Sequence, residues 1–286
     1  MIVKEALAWA ASELENFSSK QLEARILLSY VLGITQEDLL IRYNEEVSED
    51  KKYQFFKYIQ RRKSFEPIAY IVEKKEFYGR EFLVNNHVLI PRADTEILID
   101  EVLFEYRKNY LNKEIIILDL GTGSGAIAVS LAAVIEVAKI TATDISDEAL
   151  KIATENAKLN NVVNQIEFIK SDWYSNLRDN GNSQFDFIVS NPPYIALNDT
   201  SYMSQETLLY EPKDALFAGN NGLINYDKII SGATNFLKNA GKIFLEIGFN
   251  QSKPVINLLK KYQFTEVTIF KDLSKHDRII KATLLK

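Results

Sequence analysis

From residue 115 onward the sequence alternates between short apolar strands and helices, and this alternation restricts the possible fold more than any other feature. Strands are predicted at residues 115–118, 139–143, 166–169, 185–190, 242–247, 265–270 and 278–285. The last two can pair as a terminal hairpin, while helical segments separate most of the others. Such alternation predicts an α/β fold: a seven-stranded, mostly parallel, Rossmann-like sheet with helices on both faces.

The chain before this sheet has a different pattern. Residues 1–65 carry apolar side chains at helical spacing, and residues 70–72 and 81–84, parted by Tyr78-Gly79-Arg80, are typical of a β-hairpin. We therefore predict a small all-helical domain at 1–72, a connecting hairpin at 73–88 and the sheet domain at 89–286. The helical domain has no catalytic motif of its own, which suggests that it recognises a substrate.

Four cations lie near the end of the fourth predicted helix: Lys57, Arg61, Arg62 and Lys63. Cations near a helix C-terminus are stabilised by the helix dipole, so a solvated face is the favoured interpretation. A docking surface for an acidic partner or RNA is the alternative.

Composition excludes several classes of protein. The chain has no cysteine and only two histidines, so we expect no disulfide, no thiol nucleophile and no metal site. The formal charge of -5 gives no overall attraction to nucleic acid, and a monomer that does not bind nucleic acid directly is expected. No apolar run is long enough to span a membrane, and the N-terminus does not resemble a signal peptide. These features predict a cytoplasmic protein.

The strand at residues 185–190 ends abruptly in Asn191-Pro192-Pro193-Tyr194. The prolines fix φ and push the residue before each of them toward extended geometry, so the strand end is stiff. The Asn191 side-chain oxygen and the Pro192 carbonyl can each accept an N–H, and the Tyr194 ring can pack on a flat group. The segment is therefore a candidate site for a planar NH2 group, although Asn-Pro is also a common turn.

Three further strand ends carry candidate cofactor residues. A glycine-rich turn follows the first strand, Asp144 ends the second, and Ser171-Asp172-Trp173 follows the third. An acid in the position of Asp144 can bind ribose hydroxyls, while Asp172 can accept an adenine amine and Trp173 can stack on the base. The glycine pattern alone also fits a nicotinamide dehydrogenase. The candidate cofactor residues are Gly121, Thr122, Gly123, Ser124, Gly125, Asp144, Asp172, Trp173 and Asn191.

These motifs resemble the class I S-adenosylmethionine-dependent methyltransferases that modify planar amino groups. Within that group the chain is similar to the family of peptide-chain release factor glutamine N5-methyltransferases. Further motifs that carry the resemblance are Glu66-Pro67-Ile68-Ala69-Tyr70, Ile90-Pro91-Arg92, Asp94-Thr95-Glu96, Glu211-Pro212, Ala215-Leu216 and Leu245-Glu246-Ile247-Gly248. The chain departs from the family at Ala93, where proline is usual, whereas Tyr70 lies where His or Tyr is usual; neither position belongs to the predicted site.

The resemblance implies S-adenosylmethionine as cofactor and class 1 release factors as partners. The implied reaction is methylation of the glutamine amide in the Gly-Gly-Gln motif, in support of translation termination. Asn191, Pro192 and Tyr194 would then be the catalytic residues, and Pro193 would join them in binding substrate. An adenine-N6 methyltransferase acting on DNA or RNA is the alternative, because the same strand end can hold an adenine amine.

Overall fold

The computed structural model describes residues 1–177, 184–219 and 221–286, which divide into two compact units. The first unit is Met1–Lys74 with Met203–Tyr210, and the second is Lys75–Tyr202 with Glu211–Lys286. The helices and strands follow one another in this order: α1 Val3–Glu13, α2 Lys20–Leu32, α3 Gln36–Ile41, α4 Glu49–Lys63, α5 Ile68–Ile71, β1 Lys74–Phe77, β2 Arg80–Leu83, α6 Thr95–Asn109, β3 Ile115–Leu120, α7 Ala126–Val134, β4 Ala138–Asp144, α8 Asp147–Leu159, β5 Ile166–Lys170, β6 Phe185–Ser190, α9 Gln205–Tyr210, α10 Ile224–Phe236, β7 Leu237–Glu246, α11 Ser252–Lys261, β8 Phe264–Lys271 and β9 Asp277–Leu284.

The sheet of the second unit has seven strands in the order β5-β4-β3-β6-β7-β9-β8. Strands β3 to β7 pair in parallel, and β9 is antiparallel to both β7 and β8. This confirms the predicted α/β fold. The chain moves outward from β3 through β4 to β5 and then crosses to β6 on the other side of β3. Ligands bind at such a reversal of strand order in open α/β sheets.

Two strand ends meet at this reversal. Leu120, the last residue of β3, is in register with Ser190, the last residue of β6. Gly121 and Asn191 come next in the chain, so they start from adjacent points on one edge of the sheet. Strand β6 is buried along its whole length, including its polar residues Asp186 and Ser190, as expected for a central strand with both faces covered.

The predicted first strand of the hairpin is wrong. Residues 68–71 form helix α5 rather than a strand, and β1 begins only at Lys74. Pro67 starts the helix because its fixed φ and missing N–H suit a helix N-terminus. Glu73 then adopts a positive φ of 57°, which ends the helical turn before the hairpin begins.

The four cations noted in the sequence lie in the first unit, where carboxylates pair with Arg61, Arg62 and Lys63. Arg62 is 3% exposed, and its guanidinium lies 2.7 Å from Glu23, 2.6 Å from Glu206 and 4.0 Å above the Phe17 ring. The expectation of a solvated face is therefore wrong for Arg62. Glu206 belongs to α9, so this ion pair, together with a hydrogen bond from the Tyr210 hydroxyl to the Ser64 carbonyl, ties α9 into the first unit.

None of the helices in the described ranges combines the length and hydropathy needed to cross a bilayer.

Candidate active site

A cavity of about 660 Å³ lies in the second unit at the carboxyl ends of β3, β4 and β6. It brings together nine of the twelve residues predicted from the sequence: Gly121, Thr122, Gly123, Ser124, Asp144, Asp172, Trp173, Asn191 and Pro193. The other three, Gly125, Pro192 and Tyr194, are outside the described lining of this cavity. The geometry of each group shows what it can do.

The glycine-rich turn needs its glycines for two different reasons. Gly121, Gly123 and Gly125 all have positive φ, of 72°, 55° and 80°. A Cβ at Gly121 would lie 3.5 Å from the Trp173 ring, so this ring closes over the turn. A Cβ at Gly125 would lie 3.1 Å from the Cβ of Ala153 in α8. A glycine at position 125 therefore permits the close packing of α7 against α8, and its predicted contact with the cofactor stays a prediction.

A buried asparagine fixes the same turn from behind. The Asn156 side chain donates to the carbonyls of Ser124 and Leu83, both at 2.9 Å, and accepts the Leu83 N–H at 2.6 Å. Because Asn156 is completely buried, loss of these bonds would leave polar groups without water. The turn and hairpin strand β2 are thus held by one side chain that the sequence patterns did not single out.

Asp144 ends β4 with both carboxylate oxygens already oriented. One oxygen accepts the Gly123 N–H at 2.9 Å and the other accepts the Ser146 N–H at 3.0 Å. Each oxygen keeps a second lone pair, so the carboxylate can still accept two hydroxyl groups. Burial raises the pKa of Asp144, while these backbone bonds oppose the rise. The geometry suits the two hydroxyls of a ribose.

Asp119 is fully buried beneath the glycine-rich turn. The Thr122 hydroxyl donates to it at 2.7 Å, so this side chain serves the turn. Burial and the nearby Asp144 charge raise the pKa of Asp119 to about 7, although the Thr122 bond lowers it. A carboxyl whose pKa is higher in the folded than in the unfolded state loses stabilising free energy as pH rises between those two values.

As pH rises from about 5 to about 8, the unmodified chain should lose free energy of unfolding because Asp119 ionises in a buried site. Asp119→Asn should not show this loss, because the amide cannot ionise. An amide oxygen can still accept the Thr122 hydroxyl. Thermal unfolding at the two pH values should show the difference in Tm moving by a few degrees in favour of the variant. A difference that stays constant would mean that Asp119 ionises like an exposed carboxyl.

Asp172 and Trp173, which follow β5, also line the cavity. The Asp172 carboxylate is half exposed and lies 3.9 Å from the Lys228 ammonium, which also lines the cavity. Trp173 has a φ of 53°, unusual for a bulky side chain and costly unless neighbouring contacts hold it. This conformation presents the indole to the cavity.

The segment after β6 is held by its carbonyls. The Asn225 amide donates to the Pro193 carbonyl at 2.9 Å, and the Gln251 amide donates to the Tyr194 carbonyl at 2.8 Å. Within the described ranges no hydrogen bond to the Pro192 carbonyl is formed. Pro192 is buried and lies outside the described lining of the cavity, so its role as an acceptor stays a prediction. Asn225 and Gln251 are structural supports that sequence reasoning missed.

The Tyr194 side chain is held by apolar and polar neighbours within the second unit. Its ring packs against the apolar cluster under β6 and β7, and its hydroxyl lies 3.4 Å from Glu246. Burial, with a further contribution from the Glu246 charge, raises the pKa of Tyr194, so the phenol stays neutral. A ring in this position stiffens the strand end, and its packing on a bound amide stays a prediction.

Arg92 and Glu211 form a second polar group at the cavity. Arg92 lines the cavity and is paired with Glu211, which is buried and also accepts the Ile90 N–H at 3.2 Å. A charge-assisted hydrogen bond of this kind helps to orient the guanidinium. Both residues lie in motifs noted in the sequence, but nothing in their spacing indicated that they would meet.

Two family models match the chain. The model described as PrmC N-terminal domain matches residues 5–72, and the methyltransferase small domain matches residues 95–224. Solved structures support the fold: the catalytic domain of hMettl16 in complex with MAT2A 3'UTR hairpin 6 superposes with a TM-score of 0.55 at 17% identity, over 84% of this chain and 85% of that chain.

Curated relatives are much closer in sequence. The bifunctional methyltransferase of Rickettsia conorii is 43% identical over 97% of this chain, which spans only 57% of that longer relative. The release factor glutamine methyltransferase of Buchnera aphidicola is 40% identical over 94% of both chains, and that of Bacillus subtilis is 36% identical over 99% of this chain and 98% of the relative. Matches of this extent establish that the chain belongs to the release factor glutamine methyltransferase family.

Proposed function

We propose that this chain transfers a methyl group from S-adenosylmethionine to the side-chain amide nitrogen (N5) of the glutamine in the Gly-Gly-Gln motif of class 1 release factors. One observation carries the proposal. Asn191, at the stiff end of β6, shares a single cavity with the glycine-rich turn, Asp144 and Trp173. An amide-holding group and a nucleoside-binding group therefore open into the same space.

The residues present fit the methyl donor. Asp144 has two prepared acceptors for ribose hydroxyls, Trp173 offers a ring for the adenine, and Asp172 offers an acceptor for its amine. The glycine-rich turn has no side chain at Gly121 or Gly123 to fill the space beside them. When bound, the donor supplies a sulfonium-activated methyl group that a neutral nitrogen can attack.

The chain's own contribution is to orient the glutamine amide. An amide nitrogen is a poor nucleophile because its lone pair is delocalised into the carbonyl, and no side chain is basic enough to deprotonate it. Asn191 Oδ1 and the Pro192 carbonyl would accept its two N–H bonds, which raises electron density on nitrogen and fixes its direction. Such positioning contributes about 7–11 kcal/mol in favourable cases. The nitrogen gains the methyl group, the donor leaves as a neutral thioether, and the N–H proton passes to water.

We assign recognition of the release factor to the helical unit, in which no cavity of the catalytic kind is seen among the described residues, and place the reaction in the cytoplasm. The protein is proposed to act as a monomer without a direct nucleic-acid contact. Its formal charge of -5 gives no support to the adenine-N6 alternative, which needs a basic groove.

The proposal is tested with isotopically labelled S-adenosylmethionine. Three acceptors are compared: a class 1 release factor, the same factor with the Gly-Gly-Gln glutamine changed to alanine, and duplex DNA. Label should enter only the first. Label in the altered factor would place the modification on another residue, and label in DNA alone would favour the adenine alternative.

A further inference from the structure

The Asn191 side chain has two chemically different ends of similar shape. Its oxygen accepts hydrogen bonds, whereas its NH2 group donates them. The proposed reaction requires the oxygen end to meet the glutamine amide, because two NH2 groups facing one another cannot bond. Contacts with neighbouring residues must therefore fix the orientation of the Asn191 amide.

Two consecutive hydrogen bonds fix the orientation of the Asn191 side chain. Asn191 Nδ2 donates to the Thr95 hydroxyl at 3.1 Å, and the Thr95 hydroxyl donates to Glu246 Oε2 at 2.6 Å. Thr95 begins α6 and Glu246 ends β7, and they are only 4% and 2% exposed. Water therefore has little access to either group to replace these bonds.

The order of donors and acceptors is fixed by the carboxylate. An ionised carboxylate can only accept, so the single Thr95 proton must go to Glu246. The Thr95 oxygen then has only lone pairs left for Asn191, and it can bind the NH2 end but not the oxygen end. Asn191 Oδ1 is consequently held on the side away from Thr95.

We propose that Thr95 and Glu246 are positioning residues for methyl transfer, acting through Asn191 by holding its amide with the oxygen end available to the substrate. The inference rests on the proposed function and adds to it two residues whose motifs, by themselves, show no role. Neither residue is required to touch the transferred methyl group.

The charges around Glu246 set the conditions for a test. Burial raises the pKa of Glu246 to about 7, and the nearby Asp94 charge adds to this. The Thr95 hydroxyl bond, the Arg278 guanidinium and the Tyr194 hydroxyl lower the pKa. Above that pH the carboxylate form predominates, so assays at about pH 8.5 hold the network in the ionised state described here.

Thr95→Val removes the hydroxyl at nearly constant shape. At about pH 8.5 we expect kcat for release factor methylation to fall roughly tenfold, as for loss of one hydrogen bond, with affinity for S-adenosylmethionine unchanged. Thr95→Ser restores the hydroxyl and should recover most of the rate. Thr283→Val is the matched control, because Thr283 is equally buried at 3% exposure and lies in β9 away from the cavity.

A double-mutant cycle separates positioning from general damage. If Thr95 acts only through Asn191, adding Thr95→Val to Asn191→Ala should change kcat by less than about twofold. Equal fractional losses in both backgrounds, or a Thr95→Val variant at full rate, would overturn the inference. If the Thr95→Val variant does not fold, Thr95→Ala takes its place in both backgrounds, because alanine places no methyl group where the hydroxyl lay. An unmodified chain that leaves release factor unlabelled would instead refute the proposed function, and this inference with it.

Discussion

Replacing Asn191 with alanine is expected to lower kcat for release factor methylation by roughly 10²–10³, the usual effect of deleting one preorganised polar contact. The contact matters most as the amide nitrogen aligns with the methyl group, so the loss should fall on kcat rather than on cofactor affinity. Steady-state kinetics and calorimetric titration with S-adenosylmethionine measure the two quantities.

The surroundings of Asn191 supply the controls. Asn198→Ala changes an exposed asparagine later in the same loop and should leave the rate unaltered. Asn191→Asp keeps an acceptor but sets a second carboxylate near Glu246, with only the Thr95 proton between them. We expect it to retain some activity and to bind the cofactor more weakly. If the Asn191→Ala variant keeps a kcat near that of the unmodified chain, the strand end is only a rigid turn and has no part in the reaction.

The second large effect is expected for Asp144→Ala. Removal of the prepared carboxylate should weaken S-adenosylmethionine binding by about 1.5–3 kcal/mol, the range for hydrogen bonds to charged groups. The fold should survive, because Asp144 lies at the end of β4 and its two backbone partners can turn to water. Calorimetry gives the affinity directly.

Asp147→Ala is the matched control for that change. Asp147 begins α8 only three residues later, is largely exposed, pairs with Lys170 and lies outside the cavity lining. Its removal should leave cofactor affinity unchanged. Equal affinities for the Asp144 variant and the unmodified chain would remove the ribose role from Asp144.

The sequence alone was sufficient to predict the cavity because strand ends are positioned by topology. Parallel buried strands bring their carboxyl ends to one edge, so residues that end or directly follow β3, β4 and β6 must converge. Gly121, Asp144 and Asn191 each occupy such a place, and all three line the cavity. A local pattern and a general packing rule are enough at these positions.

The remaining features depend on contacts that no local pattern encodes. Thr95 and Glu246 bond across 151 residues, and Arg62 and Glu206 across 144. Neither partner has a periodicity or spacing that refers to the other. The surroundings of the Tyr194 ring depend likewise on the apolar cluster beneath β6 and β7, and its packing against the substrate stays a prediction. Long-range polar pairs and side-chain direction therefore had to come from the structure.

The ion pair between Arg62 and Glu206 has a consequence for how the chain is made. A ribosome adds about 5–20 residues per second, so Glu206 leaves it roughly 7–30 s after Arg62. During that interval the nascent helical unit contains Arg62, which is almost fully buried in the finished protein. Glu23 is the carboxylate partner of Arg62 on the segment already synthesised. The first part of the protein to be synthesised thus reaches its final state only when α9 emerges, and a nascent chain stalled before residue 203 should show weaker protection of α4 from proteolysis than one stalled well after residue 210.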